Sequence, residues 1–141
     1  MPRMPFPIDK IDRLGNVIET NALGPMRVLE AFPEVASGGG TVGVMMSGQG
    51  SITNNTMGVR EVYRGSKAAL NMLMRSFAAR RAADRHPMVL MAPGWARTDP
   101  GGPDARLSIE EKIPSLVTTL LAAHGIPGLR YVDYPGRTVP W

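Results

Sequence analysis

The sequence predicts an α/β fold built on a parallel sheet, and three observations carry that prediction. Continuous apolar runs at residues 41–46 and 88–91 have the length of buried strands and are bounded by glycine or proline. Longer segments with apolar residues at helical spacing alternate with them. No two-residue hairpin signal joins any pair of runs, so successive strands must be linked by right-handed helical crossovers and lie parallel.

Residues 1–10 open with Pro2, Pro5 and Pro7 and read as a disordered or connecting stretch, leaving residues 11–141 as part of one domain. From residue 12 to 32, Leu14, Val17, Ile18, Ala22, Met26, Leu29 and Phe32 recur at helical spacing. Gly24-Pro25 interrupts that helix, and a proline there removes a backbone bond and kinks the chain near Asn21. Gly38-Gly39-Gly40 precedes a strand, whereas a phosphate-cradling turn follows a strand and opens a helix, so these glycines read as a loop. The run at residues 41–46 then reads as a buried parallel strand that delivers Ser47 to its carboxyl end, where open α/β sheets bind ligands. Residues 51–61 are polar and irregular and are expected to fold over the site as part of a substrate wall. A second long helix spans residues 61–85, with Tyr63, Leu70, Leu73 and Phe77 along one side. The strand at 88–91 ends at Pro93-Gly94. After a loop at 98–106, Ser108 and Glu111 form a capping box that starts a third helix ending near His124-Gly125, and residues 129–134 make a last strand.

With 141 residues, 43% hydrophobic and 20% charged, the chain suits one globular unit with a buried core. It has no cysteine, and His86 and His124 stand alone, so neither a disulfide framework nor a metal site is indicated. No run approaches the ~18 apolar residues of a membrane span and the N-terminus lacks a signal sequence, which makes the cytoplasm the expected compartment. The formal net charge of +4 raises nucleic acid as a partner. Against it, the basic residues are scattered, Arg80, Arg81 and Arg85 suit the dipole at a helix end, and the few aromatic rings do not interleave with them.

The chemistry concentrates at Tyr63-Arg64-Gly65-Ser66-Lys67. Positions i and i+4 of a helix share a face, so the phenol and the ammonium can enter one cleft. A free tyrosine ionises near pH ~10, and an adjacent cation favours the phenolate, which is what a general acid or base needs. A solvated helix start is the alternative reading of the pair alone.

The surrounding blocks narrow it. Glu19-Thr20-Asn21-Ala22-Leu23-Gly24-Pro25, Met46-Ser47-Gly48-Gln49-Gly50-Ser51-Ile52, Tyr63 to Met72, Pro93-Gly94-Trp95-Ala96-Arg97-Thr98-Asp99, Gly101-Gly102-Pro103 and the terminal Gly136 to Trp141 occur in one order. Together they resemble the C-terminal half of the short-chain dehydrogenase/reductase family, in the subgroup of small carbonyl reductases related to C-factor. The resemblance runs from about residue 11 to the end. It implies a partial Rossmann-like, doubly wound parallel sheet without the N-terminal dinucleotide-binding strands. It also implies hydride transfer between a nicotinamide, NAD or NADP with a lean toward NADPH, and a small carbonyl or alcohol substrate. Asn21, Ser47, Tyr63 and Lys67 match the catalytic positions. Tyr63, Lys67, Pro93, Gly94, Trp95 and Thr98 match positions that hold the nicotinamide and its ribose. In relatives the two long helices often form a subunit interface, so a homo-oligomer is expected. The spacing from Ser47 to Tyr63 is long but compatible with the subgroup, whereas Pro100 replaces a usual methionine and stiffens the loop beyond Thr98. Without the glycine-rich half, the strand at 41–46 becomes an uncovered edge. Either the natural protein is longer and this chain is truncated at its N-terminus, or it needs a partner. A remnant without activity, kept as an association module, is the competing reading.

Overall fold

The computed structural model describes residues 9–32, 39–97 and 102–141. The expectations placed on residues 1–8 and on Thr98 and Pro100 lie outside them.

The first helical run begins at Asp9, earlier than its periodicity suggests, and has three parts: α1 (Asp9–Ile18), a π-turn (Glu19–Leu23) and α2 (Gly24–Ala31). The Gly24 amide reaches back to the Glu19 carbonyl, an i to i+5 bond. Pro25, directly after it, has no N–H to give, so the kink read from Gly24-Pro25 takes the form of a π-bulge that sets Asn21 in a widened turn. Ala22 and Met26 face inward from the bend.

Among the described residues the sheet has three strands, β1 (Val42–Met45), β2 (Pro87–Ala92) and β3 (Gly128–Asp133), all parallel in the order β1-β2-β3. Every residue of β2 is buried, and its alternation divides the core. Met88, Leu90 and Ala92 join Ala22, Met26, Leu70, Met74 and Phe77 beneath the π-bulge, α2 and α3 (Glu61–Arg80). Val89 and Met91 face the other way, against Leu116 and Ala123 of α4 (Ile109–Ala122) and its C-terminal end. The expectation of a buried first strand needs correction. Of β1 only Val44 is buried, and Met45 is 54% exposed, because β1 is an edge whose second side meets no strand among the described residues.

The capping box that starts α4 forms as read: Ser108 Oγ accepts from the Glu111 amide at 3.2 Å, and Glu111 Oε2 accepts from the Ser108 amide at 2.8 Å. At the other end of the chain, Val139 N–H bonds the Tyr131 carbonyl at 2.9 Å and Thr53 Oγ1 donates to the Trp141 carbonyl at 2.7 Å. The C-terminus is thereby tied to the irregular segment that precedes α3.

Candidate active site

Ser47 follows β1 and caps a short 3₁₀ turn, Gly48–Gly50, its Oγ accepting from the Gln49 amide at 3.2 Å. The turn lies hard against α3. A Cβ on Gly50 would sit 3.1 Å from Lys67 Cβ and 3.2 Å from the Lys67 carbonyl, so only glycine lets the two backbones approach this closely. Asn71 Nδ2 then donates to the Gly50 carbonyl at 3.1 Å. The Ser47 carbonyl accepts twice, from the Gly50 amide at 2.9 Å and from the Tyr131 hydroxyl at 2.5 Å. Burial pushes the Tyr131 phenol above its ordinary value of 10.0; Asn71 opposes the shift and the nearby Tyr63 phenol adds to it.

Tyr63 stands in the first turn of α3 and is 38% exposed. Lys67, one turn on, directs its Nζ at the Met45 carbonyl, 3.5 Å away, and loss of hydration holds the ammonium below the usual 10.5. Asn21 donates from Nδ2 to Ser66 Oγ at 3.1 Å, and Ser66, fully buried, donates in turn to the Tyr63 carbonyl at 2.8 Å. The π-bulge is thus wired to the backbone of the tyrosine.

A cleft of about 720 Å³ opens at the carboxyl ends of β1 and β2. Ser47, Tyr63, Pro93, Gly94 and Trp95 line it together, as do Met46, Gly48, Gln49, Arg60, Ala96 and Lys112. Gly94 adopts φ +73°, and a Cβ there would meet the Tyr134 ring at 3.2 Å. Two of the site residues read from the sequence stand back from this wall. Lys67 reaches toward the edge of β1, and Asn21 lines a neighbouring recess of about 630 Å³ that shares Arg60 and Tyr63 with the cleft. Thr98 lies outside the described residues. Of the segment expected to wall the substrate, Arg60 alone reaches the cleft, and 51–59 turn away with Thr53 bound to the C-terminal residue.

The sequence reading missed Tyr131, Arg60 and Lys112. Tyr131 carried no local signal, since it approaches Ser47 only through the pairing of Leu90 with both Val44 and Tyr131. Nothing in its own helix marks Lys112 for burial, yet it is only 7% exposed.

Two hydroxyls and a flanking ammonium at the end of a parallel sheet form an arrangement able to hold and protonate a polarised oxygen. No protein-family model matches the chain. It is 39% identical to C-signal of Myxococcus xanthus over 130 residues, covering 91% of this chain and 78% of that protein. A Burkholderia multivorans protein assigned to the short-chain dehydrogenases/reductases, solved with bound NADP, matches with a TM-score of 0.91 and 54% identity, over 99% of this chain and 62% of that one. A carbonyl reductase from Pseudomonas aeruginosa PAO1 matches with a TM-score of 0.82 and 32% identity, over 97% of this chain and 58% of that one. The chain therefore spans about three fifths of each of these two solved proteins. Sequence identity over most of both chains and a shared fold along its whole described length lead to one assignment: the chain belongs to the short-chain dehydrogenase/reductase family.

Proposed function

We propose that this chain is the catalytic portion of an NAD(P)-dependent oxidoreductase acting on a small carbonyl or alcohol. The observation that carries the reading is the convergence of Ser47, Tyr63 and the Pro93-Gly94-Trp95 turn on one cleft at the strand ends. The cleft suits a nicotinamide: its volume exceeds a ring and a small substrate, Pro93 and Trp95 offer flat apolar surface, and Gly94 holds the turn between them at φ +73°. The Burkholderia relative with bound NADP supports NADP over NAD. When bound, that cofactor supplies the hydride, while position, proton and field come from the protein.

In the reductive direction the Tyr63 phenol donates its proton to the substrate oxygen. Ser47 Oγ already accepts from the Gln49 amide, which leaves the hydroxyl hydrogen to point at the same oxygen. Lys67, one helical turn from Tyr63, favours the phenolate left behind and would be the residue to hold the ribose hydroxyls. Asn21 fixes Tyr63 through Ser66, and the recess they share supports a proton path to bulk water.

The test is Tyr63→Phe, assayed by NADPH consumption with aliphatic and aromatic aldehydes. Loss of the proton donor lowers turnover about 10²–10⁴-fold. The melting temperature stays close to wild type because the ring is retained and partly exposed. Undiminished turnover in the variant overturns the mechanism.

One observation favours a second reading, an association module. Ile109, Ile113, Val117 and Leu121 recur every fourth residue along α4 and all are exposed. Defined oligomers in size-exclusion chromatography together with no NADPH consumption by wild type would establish that reading instead.

A further inference from the structure

Lys112 occupies the fourth position of α4 after its Ser108 cap, is only 7% exposed, and helps to wall the cleft that contains Ser47 and Tyr63. No hydrogen bond or ion pair connects its side chain to another described residue, and its ammonium is not fully cut off from solvent, so it keeps an opening to the cleft. Two features make this a poor place for an unpaired cation. Burial of all but 7% of the residue removes part of the water around the ammonium, and the first turn of a helix carries the positive end of its dipole. The adjacent acids do not answer it. Glu110 and Glu111 are exposed, and Glu111 is engaged by the Ser108 cap and lies 3.9 Å from Arg97. A position that asked only for packing would be met better by leucine or methionine. The rest of the cleft points the same way: among the described residues its wall includes a second cation, Arg60, and no acidic residue.

We infer that Lys112 binds an oxyanion of the ligand, either a carboxylate on the carbonyl substrate or the diphosphate of a dinucleotide. An anion entering the cleft replaces the hydration the ammonium has lost and offsets the helix dipole, so the arrangement that is unfavourable in the bare fold becomes favourable in the complex. The two named sources rest on the oxidoreductase reading; the anion site rests on Lys112, Arg60 and the cleft alone.

The experiment compares wild type, Lys112→Met and Lys112→Arg by thermal shift at low ionic strength, with 2-oxoglutarate and inorganic pyrophosphate as probes. Methionine keeps the unbranched stem and removes the charge. The expected result is a rise in wild-type melting temperature with one or both probes, with apparent affinity about 10–100-fold weaker in Lys112→Met and largely restored in Lys112→Arg. Without probe, Lys112→Met should melt above wild type, which also shows that the variant folds. A response to 2-oxoglutarate alone assigns the site to the substrate, and a response to pyrophosphate alone assigns it to the cofactor. Equal responses in wild type and Lys112→Met, or no wild-type response to either probe, overturn the inference. A parallel NADPH titration by fluorescence separates the two claims, since an intact anion response without NADPH binding sinks the oxidoreductase reading and leaves the Lys112 site standing.

Discussion

Replacing Tyr131 by phenylalanine tests how Ser47 is held in place. Tyr131 is nearly fully buried, and its hydroxyl donates to the Ser47 carbonyl at 2.5 Å. Removing that hydroxyl does not strand the carbonyl, because the Gly50 amide still donates to it from 2.9 Å. Asn71, which also faces the phenol, keeps its own bond to the Gly50 carbonyl, so the loss is the net value of about one hydrogen bond, about 0.5–1.5 kcal/mol, rather than the ~1–3 kcal/mol of a buried group left without a partner. Packing hardly changes, since the ring remains against Trp141 with centroids 5.3 Å apart. With a urea m-value of about 2 kcal/mol/M, a loss of about 1 kcal/mol moves the unfolding midpoint down by about 0.5 M. Urea titration followed by tryptophan fluorescence reads this directly. An unchanged midpoint would refute the bond, and a loss above about 3 kcal/mol would refute the claim that Gly50 backs it up. The functional half is separable. If the Tyr131 bond aims the Ser47 hydroxyl, turnover falls by more than the stability change explains, because a misplacement of ~1 Å can cost about 10²-fold. Normal turnover with reduced stability would make Tyr131 a packing residue only.

Gly94→Ala should destabilise the cleft floor by about 1–3 kcal/mol, since an L-residue at φ +73° is strained and its Cβ meets the Tyr134 ring at 3.2 Å; a thermal melt matching wild type would show that this turn is not fixed as described. Lys67→Met should raise stability at neutral pH while abolishing turnover. Burial holds the native pKa of Lys67 below the 10.5 of an unfolded lysine, so between those values the unfolded chain binds more protons and wild-type stability climbs with pH. The variant removes that climb. Tyr131 acts with the opposite sign, its raised pKa giving stability that is lost as pH rises past 10.0, so the variant-minus-wild-type difference is the quantity to measure. A variant less stable than wild type at pH 7 contradicts the desolvation argument.

What the sequence made legible follows from the range of the interactions involved. Tyr63 and Lys67 could be placed on one helical face from their spacing, and the Ser108 cap from its partner three residues on, because both are local geometry. Ser47 at a strand end and the turn at Pro93-Gly94 were readable from the apolar runs they terminate. The position of β1 in the sheet was harder, since an apolar run reads alike in a central and an edge strand, and only the missing neighbour made the edge foreseeable. Gly24-Pro25 announced a bend but not its form, which depends on which carbonyl the Gly24 amide finds. Tyr131 is 84 residues from the carbonyl it binds, and Lys112 is buried by the fold of the cleft rather than by any pattern in its own helix. Neither could be found without the strand register and the placement of α4.

The same distinction governs how Lys67 works. Helix geometry gives it a face in common with Tyr63, yet its ammonium is drawn to the sheet. Met46 donates to the Met91 carbonyl at 2.8 Å, so the peptide groups of Met46 face β2 and the carbonyl of Met45, one residue earlier, faces the free edge. The bond from Lys67 Nζ to that carbonyl is 3.5 Å long, at the limit of a hydrogen bond, and so holds the ammonium weakly. A strand pairing along β1 would supply a backbone N–H to the Met45 carbonyl and release Lys67 toward the cleft, where the phenolate of Tyr63 and ligand hydroxyls would be its partners. The placement of the proposed proton-transfer pair therefore depends on two elements at once. The helix puts Tyr63 and Lys67 on one face, while in this structure the free edge of β1 offers the ammonium the Met45 carbonyl instead.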